Sequence, residues 1–272
     1  MNSKIEPYKG IAVTYEEIRP SYPEGLIKDI ISKTGIKLSD KLLEIGPGTG
    51  KATRQFAEKG FTIHGIELGE DMALVFRDKC SKYEKVTLDV SAFEQWNNTD
   101  NHEYDMIYSA QTFHWLDPKI KYEKCHKLLK DKGYLVLFWY TPSNDKLHKT
   151  REMEEKIEKI VEKYVSVNFI DKGKPERLKH DGVYNEDERK TEIESSGVFK
   201  LMEKIDYTYE TRNNAEQYLK IMKSVPSFAS ILDGLDDNII KNMDNEIKEL
   251  INNNGGYIGN LLNYSLYISR KI

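Results

Sequence analysis

The chain has 272 residues, 39% of them hydrophobic and 32% charged, enough for a full α/β core with or without an added helical cap. Its formal net charge of −4 lacks the basic excess of a phosphate-backbone binder, so nucleic acid is not the expected partner. Two cysteines, Cys80 and Cys125, form neither a disulfide framework nor a C-x-x-C pair, which points to a reducing, cytoplasmic setting.

The opening MNSKIEPYKG lacks the basic-then-apolar pattern of a secretory signal. The longest strongly apolar run, YLVLFWY (134–140), is far short of a bilayer span, so no membrane partner is expected. Residues 1–40 read as an N-terminal helical preamble. From residue 41, strand and helix signals alternate. KLLEIG (41–46) is a β-type run ended by glycines, and KATRQFAEKG (51–60) is a helix stopped by Gly60. FTIHGIE (61–67) reads as a strand and residues 70–83 as a helix opened by acidic residues. KVTLDV (85–90), EYDMIYSA (103–110) and YLVLFWY (134–140) continue the strand series, with a helix expected over 117–133. Alternation of this kind predicts a doubly wound, mostly parallel sheet with helices on both faces.

The second half changes character. Residues 145–165 form a long charged helix with Met153, Ile157, Ile160, Val161 and Tyr164 on one stripe, its charge run read as a solvated face. A polar loop follows, then a helix within 186–199, a strand at 204–211, helices at 214–224 and 236–253, and a closing strand at 263–272. The expected plan is one domain with a core over 41–141. The segments 185–211 and 256–272 complete its sheet, and helical insertions at 142–184 and 212–255 form a substrate cap.

The strongest local signal is LLEIGPGTGKAT (42–53). A strand runs into Gly46, Gly48 and Gly50 and a helix begins at once, an arrangement that lets a ligand approach the backbone closely. A nicotinamide-type G-x-G-x-x-G would need its third glycine at position 51, where Lys51 stands, so the pattern is acidic-x-G-x-G-x-G led by Glu44. Glu67 lies about 20 residues further on, at a strand end, where a carboxylate can accept both ribose hydroxyls. Asp89 ends the next strand, placed to accept from an adenine amino group. Ligands of open α/β sheets gather at that edge.

With these residues in place, the chain resembles the class I S-adenosylmethionine-dependent methyltransferases. LLEIGPGTG, IHGIELGEDM, VTLDVSAFE, YDMIYSAQTFHWLD and LLKDKGYLVLFWY carry the resemblance in family order, over about residues 8–140. The preamble YEEIRPSYP (15–23), a Y-x-x-x-R-P-x-Y-P pattern, is similar to that of a small-molecule subgroup including trans-aconitate methyltransferase. The resemblance implies a Rossmann-like, seven-stranded sheet whose last strand is antiparallel, S-adenosyl-L-methionine as methyl donor, S-adenosyl-L-homocysteine as product, and no metal. It assigns the cofactor to Glu44, Gly46, Pro47, Gly48, Thr49, Gly50, Glu67, Leu68, Met72, Asp89, Val90, Ala110 and Gln111. Tyr15, Arg19, Tyr22, Phe113, Trp115 and Tyr140 fall to the acceptor.

SAQTFHWLD (109–117) then stands where the family places the reactive methyl. Phe113 and Trp115 would wall a dry pocket with π faces toward a sulfonium. His114 has three readings: a base toward a hydroxyl or amine, an orienter of an acceptor carboxylate, or a structural side chain satisfying local backbone. Arg19 would pair with a carboxylate of cofactor or acceptor, or serve as a structural pair on its helix. The expected activity is O- or N-methylation of a small molecule by in-line displacement. The alternatives are methylation of a macromolecular or carrier-bound substrate, or a non-catalytic cofactor binder on the same fold.

Overall fold

Leu42, Leu43 and Ile45 are almost wholly buried in a strand covered on both faces, the environment of a central parallel strand. The computed structural model describes residues 10–97, 103–143, 145, 147–165, 186–232 and 234–272. In chain order it has helices α1 (Ala12–Ile18) and α2 (Glu24–Thr34), strand β1 (Lys41–Ile45), α3 (Lys51–Ala57), β2 (Thr62–Glu67), α4 (Glu70–Cys80), β3 (Val86–Val90) and β4 (Tyr104–Ala110). A single 3₁₀ turn, Phe113–Trp115, precedes α5 (Lys121–Leu128) and β5 (Leu129–Pro142). Then come α6 (His148–Val165), α7 (Glu186–Ser195), β6 (Phe199–Asn214), α8 (Ala215–Ser224), α9 (Pro226–Leu232), α10 (Asp237–Asn253) and β7 (Tyr257–Lys271).

The seven strands lie in the order β3-β2-β1-β4-β5-β7-β6, a Rossmann-like sheet. β1 pairs in parallel with both β2 and β4, and β3 and β5 continue the parallel pairing outward. Along β6 and β7 the partners run in opposite senses, Ser265 bonding Asp206 while Ile272 bonds Val198, so this pair is antiparallel. After β1 the chain winds outward through β2 and β3, then returns to lay β4 on the other side of β1. That reversal opens a crevice at the carboxyl ends of β1 and β4, where ligands of such sheets bind.

Two compact units divide the chain. The first holds residues up to 141, 185–207 and 264–272, and the second holds 142–184 and 208–263. The second unit has its own apolar core, in which Met243, Ile247 and Ile251 of α10 recur at one-turn spacing beside Met153 and Ile157 of α6 and Leu219 of α8. Asn214 and Gln217 close a reciprocal capping box at the start of α8. The anticipated polar loop at 166–185 lies outside the described residues, as do the first nine residues of the preamble.

The helix expected over 117–133 is shorter. It ends at Leu128, where Leu129 turns extended and pairs with Tyr104 of β4, while Lys132 takes a left-handed conformation (φ 65). Leu128 and Leu129 are consecutive apolar residues committed to different layers, a distinction helical periodicity does not carry. The strand at 204–211 extends to Phe199–Asn214, and helix α9 was not anticipated.

At the end of β1 the backbone at Gly46 is left-handed (φ 66), and a Cβ there would fall 2.2 Å from Thr112 Cγ2, just beyond β4. Gly46→Ala therefore meets both backbone strain and a clash, and is expected to destabilise by about 2–4 kcal/mol in urea unfolding of ligand-free protein. Gly48 is also left-handed (φ 57) but a Cβ there meets nothing within 4 Å. Gly48→Ala should lose only about 1–2 kcal/mol, from backbone strain alone. Equal losses at the two positions would contradict this packing.

Candidate active site

The turn after β1 is built from three left-handed glycines, and each meets a different neighbour. Gly46 donates its N–H to Ile66 O at 2.9 Å and abuts Thr112, whose Oγ1 donates back to Gly46 O at 3.1 Å. Gly50 starts α3, and its missing Cβ makes room for Cys80 Sγ and Phe76 of α4 rather than for the strand. Nothing crowds Gly48, whose N–H donates to Glu67 Oε2 at 2.8 Å.

Glu67 closes the arrangement. Its second oxygen accepts from Gly69 N at 2.9 Å, so one buried carboxylate ties the glycine turn to the start of α4. The loop, this carboxylate and the ends of β4 and β5 surround a cavity whose empty volume is about 920 Å³, counting the part open to solvent. Glu44, Gly46, Pro47, Gly48, Thr49, Glu67, Leu68 and Met72 line one side, with Ala110 and Gln111 at the end of β4. Tyr15, Arg19, Tyr22, Trp115 and Tyr140 line it as well. Gln111 is held in a left-handed conformation (φ 61) by its N–H to Phe138 O and its side-chain amide to Tyr140 O, strain of the kind that gathers at functional sites.

Five anticipated residues lie outside that lining. Gly50 faces α4. Asp89 accepts from Trp96 Nε1 at 2.8 Å and lies 3.2 Å from His64 Nε2 on the same oxygen, and Val90 beside it pairs in register with Glu67. Phe113 is a core residue, packed edge-on against Tyr122 rather than walling the cavity. His114 turns toward β5, where Trp139 Nε1 donates to its Nδ1 at 3.3 Å. Burial, with Arg189 and Lys121 adding, pushes the His114 pKa down to about 4. The ring is therefore neutral and weakly basic at physiological pH, and the structure does not bring it to the cavity.

Residues not anticipated also contribute. Pro20, Lys51, Ala52, Gly69, Asp71 and Thr112 complete the lining. Glu16 of α1 is the chief omission. Thr49 Oγ1 donates to its Oε2 at 2.5 Å, Arg54 Nη2 to its Oε1 at 2.7 Å, and Lys51 Nζ to its carbonyl at 2.6 Å. A signal was present, because Glu16 lies one turn after Ala12, the buried residue of α1. The preamble is anchored further on, where Tyr22 packs edge-on against Phe138 at 4.8 Å and Tyr264 OH donates to Ser21 O. Among the described residues no cluster of three or more His, Cys, Asp or Glu is placed to hold a metal, and no helix is long and apolar enough to cross a membrane.

Residues 43–137 match the methyltransferase domain family. An uncharacterized methyltransferase of Geobacillus sp. (strain WCH70) is 32% identical over 157 residues, covering 57% of this chain and 70% of that one. An uncharacterized methyltransferase-like protein of Schizosaccharomyces pombe is 28% identical over 161 residues, 59% of each chain. The chain thus spans little more than half the length of that yeast relative. Among solved structures, a candidate type II methyltransferase of Anaeromyxobacter dehalogenans superposes with a TM-score of 0.57 at 15% identity, over 93% of this chain and 97% of that one. Phosphoethanolamine N-methyltransferase 2 of Haemonchus contortus, solved with phosphomonomethylethanolamine and S-adenosylhomocysteine, superposes at 0.52 and 16% identity over 96% of this chain and 56% of the other. These structures share the fold. The chain belongs to the methyltransferase family.

Glu44 carries a pH signature. It is fully buried, and its Oε2 accepts from Thr53 Oγ1 at 2.5 Å and Tyr108 OH at 2.7 Å. Burial outweighs those donors and raises its pKa to about 7. A raised folded-state pKa means a contribution fully present below about pH 4.5, the ordinary carboxyl value, and lost as pH rises through 7. Glu44→Gln keeps an acceptor for both hydroxyls and removes the titration. The variant should gain roughly 2–3 kcal/mol on the parent between pH 5 and pH 8 in urea unfolding. A gap constant with pH would contradict the assignment.

Proposed function

We propose that the chain transfers the methyl group of S-adenosyl-L-methionine to an oxygen or nitrogen of a small-molecule acceptor, in the cytoplasm. The observation that carries this reading is the Glu67 carboxylate, buried at the cavity wall and fixed by Gly48 N and Gly69 N. Two ordered oxygens beside an uncrowded glycine backbone suit a vicinal diol, and the open space at Gly48 leaves room for a ligand at van der Waals distance. S-adenosyl-L-methionine, when bound, supplies a methyl on a sulfonium and leaves as S-adenosyl-L-homocysteine.

The chain's own residues then have distinct tasks. Glu67 holds the ribose hydroxyls, Leu68 and Met72 pack the adenine, and the Gly46–Gly48 backbone admits the methionine end. Glu44, near neutrality in pKa, sits where a ligand ammonium would favour its ionised form. Tyr22, Trp115 and Tyr140 exclude water from the acceptor end and offer π faces to a cation. Arg19, stacked over the Tyr15 ring at 5.4 Å, supplies a cation for a carboxylate or phosphate. The cavity position of Tyr15, Arg19 and Tyr22 supports the preamble's likeness to the small-molecule subgroup, and the Haemonchus enzyme pairs the same fold with a small phosphorylated amine. No base is assigned. Positioning and desolvation carry the displacement, and a carboxylate acceptor needs no proton removed.

Glu67→Ala should weaken S-adenosylhomocysteine binding at least about tenfold, the loss of charge-assisted hydrogen bonds. Trp115→Ala should leave that affinity unchanged and lower turnover in an acceptor panel assayed with methyl-labelled cofactor. Parallel loss of cofactor affinity in both variants would contradict this division of the cavity.

A further inference from the structure

The FHW turn is held from below by a charged cluster that the proposed chemistry does not use. Lys121, the first residue of α5, is 2% exposed, a rare depth for an ammonium. Its Nζ pairs closely with Glu192 of α7, lies 4.9 Å over the Phe113 ring, and donates to Phe113 O at 3.4 Å. Glu192 also accepts from Arg189 at 2.7 Å, one helical turn earlier. The Arg189 guanidinium in turn covers the Trp139 ring at 5.2 Å, and Trp139 donates to His114. Lys121 thus fixes the carbonyl of the first residue in the turn, and Arg189 through Trp139 fixes the ring of the second. The third, Trp115, is left 56% exposed and lines the cavity.

We infer that Lys121 and Glu192 are positioning residues, which set Trp115 at the cavity mouth by clamping the 3₁₀ turn between α5 and α7. The inference rests on the reading that this cavity takes the cofactor and its acceptor. The physical reason is the balance within a buried ion pair. Desolvation offsets most of the attraction, so the pair adds little stability over an apolar replacement, while its directionality restricts which arrangements of the turn are allowed. An apolar contact at Lys121 would fill the space without fixing the Phe113 carbonyl. A short turn held at two of its three residues gives the third little freedom, and small displacements of a substrate-facing group weigh heavily on turnover. His114 belongs to the clamp, which gives a histidine between two aromatics a role that does not require it to act as a base.

The test uses protein labelled with 5-fluorotryptophan, whose three tryptophans, Trp96, Trp115 and Trp139, give separate fluorine resonances assigned by single Trp→Phe variants. Lys121→Met combined with Glu192→Gln removes both charges of the pair and keeps an amide oxygen at position 192 to accept from Arg189. The expected result is a shifted or broadened Trp115 resonance, an unmoved Trp96 resonance and unchanged S-adenosylhomocysteine affinity by calorimetry. Should the double variant fold poorly, Lys121→Met alone leaves Glu192 paired with Arg189 and carries the same expectation. A folded variant whose Trp115 resonance coincides with the parent's overturns the inference, whether or not its melting temperature falls. If the parent itself binds no S-adenosylhomocysteine, the functional reading fails while the fluorine comparison still decides the positioning role.

Discussion

The contact between Gly46 and Thr112 is the constraint on which the site depends. It joins the ends of β1 and β4, the two strands on either side of the point where the winding of the sheet reverses, and it leaves no room for a methyl group between them. With those ends fixed, Gly48 N reaches the carboxylate at the end of β2, and that carboxylate reaches Gly69 at the start of α4. Four chain segments thereby converge on one crevice through short contacts between glycine backbone and the side chains of Thr112 and Glu67. Side chains then decide what the crevice accepts.

Two buried carboxylates divide the work by environment. Glu67 accepts from two backbone N–H groups, whereas Glu44 sits deeper and, among the described residues, accepts from the hydroxyls of Thr53 and Tyr108, and burial raises its pKa to about 7. A third carboxylate, Glu16, is spent on structure, gathering Thr49, Lys51 and Arg54 so that α1 is bound to the glycine turn. Tyr15 and Arg19 reach the cavity from that anchored segment.

The parallel strands and the glycine turn were legible because a strand buried on both faces, ended by glycines, leaves a dense local pattern. Leu42 to Ile45 and the glycines after them needed no tertiary knowledge. The limits of α5 and β6 were not legible, since Leu129 is placed by its partner Tyr104 and by a left-handed Lys132 that no propensity marks. In the site, Glu67 and Trp115 could be placed by position along the chain, but the direction a side chain takes could not. Phe113, His114 and Trp115 are consecutive, yet one enters the core, one meets Trp139 and one lines the cavity. Asp89 stands at the expected strand end, with an oxygen engaged by Trp96, a residue seven positions away that only the fold brings back. The charged clamp of Lys121 and Glu192 was invisible for the same reason, its members lying far apart in the chain.

The glycine turn and the Glu67 carboxylate suit an adenosyl sulfonium rather than a dinucleotide. Isothermal titration calorimetry of the purified chain, freed of any co-purified ligand, with S-adenosylmethionine, S-adenosylhomocysteine and NAD tests that preference most directly. Saturable one-site binding of both adenosyl ligands and no binding of NAD is the expected result. Binding of NAD, or no binding of either adenosyl ligand, would contradict it.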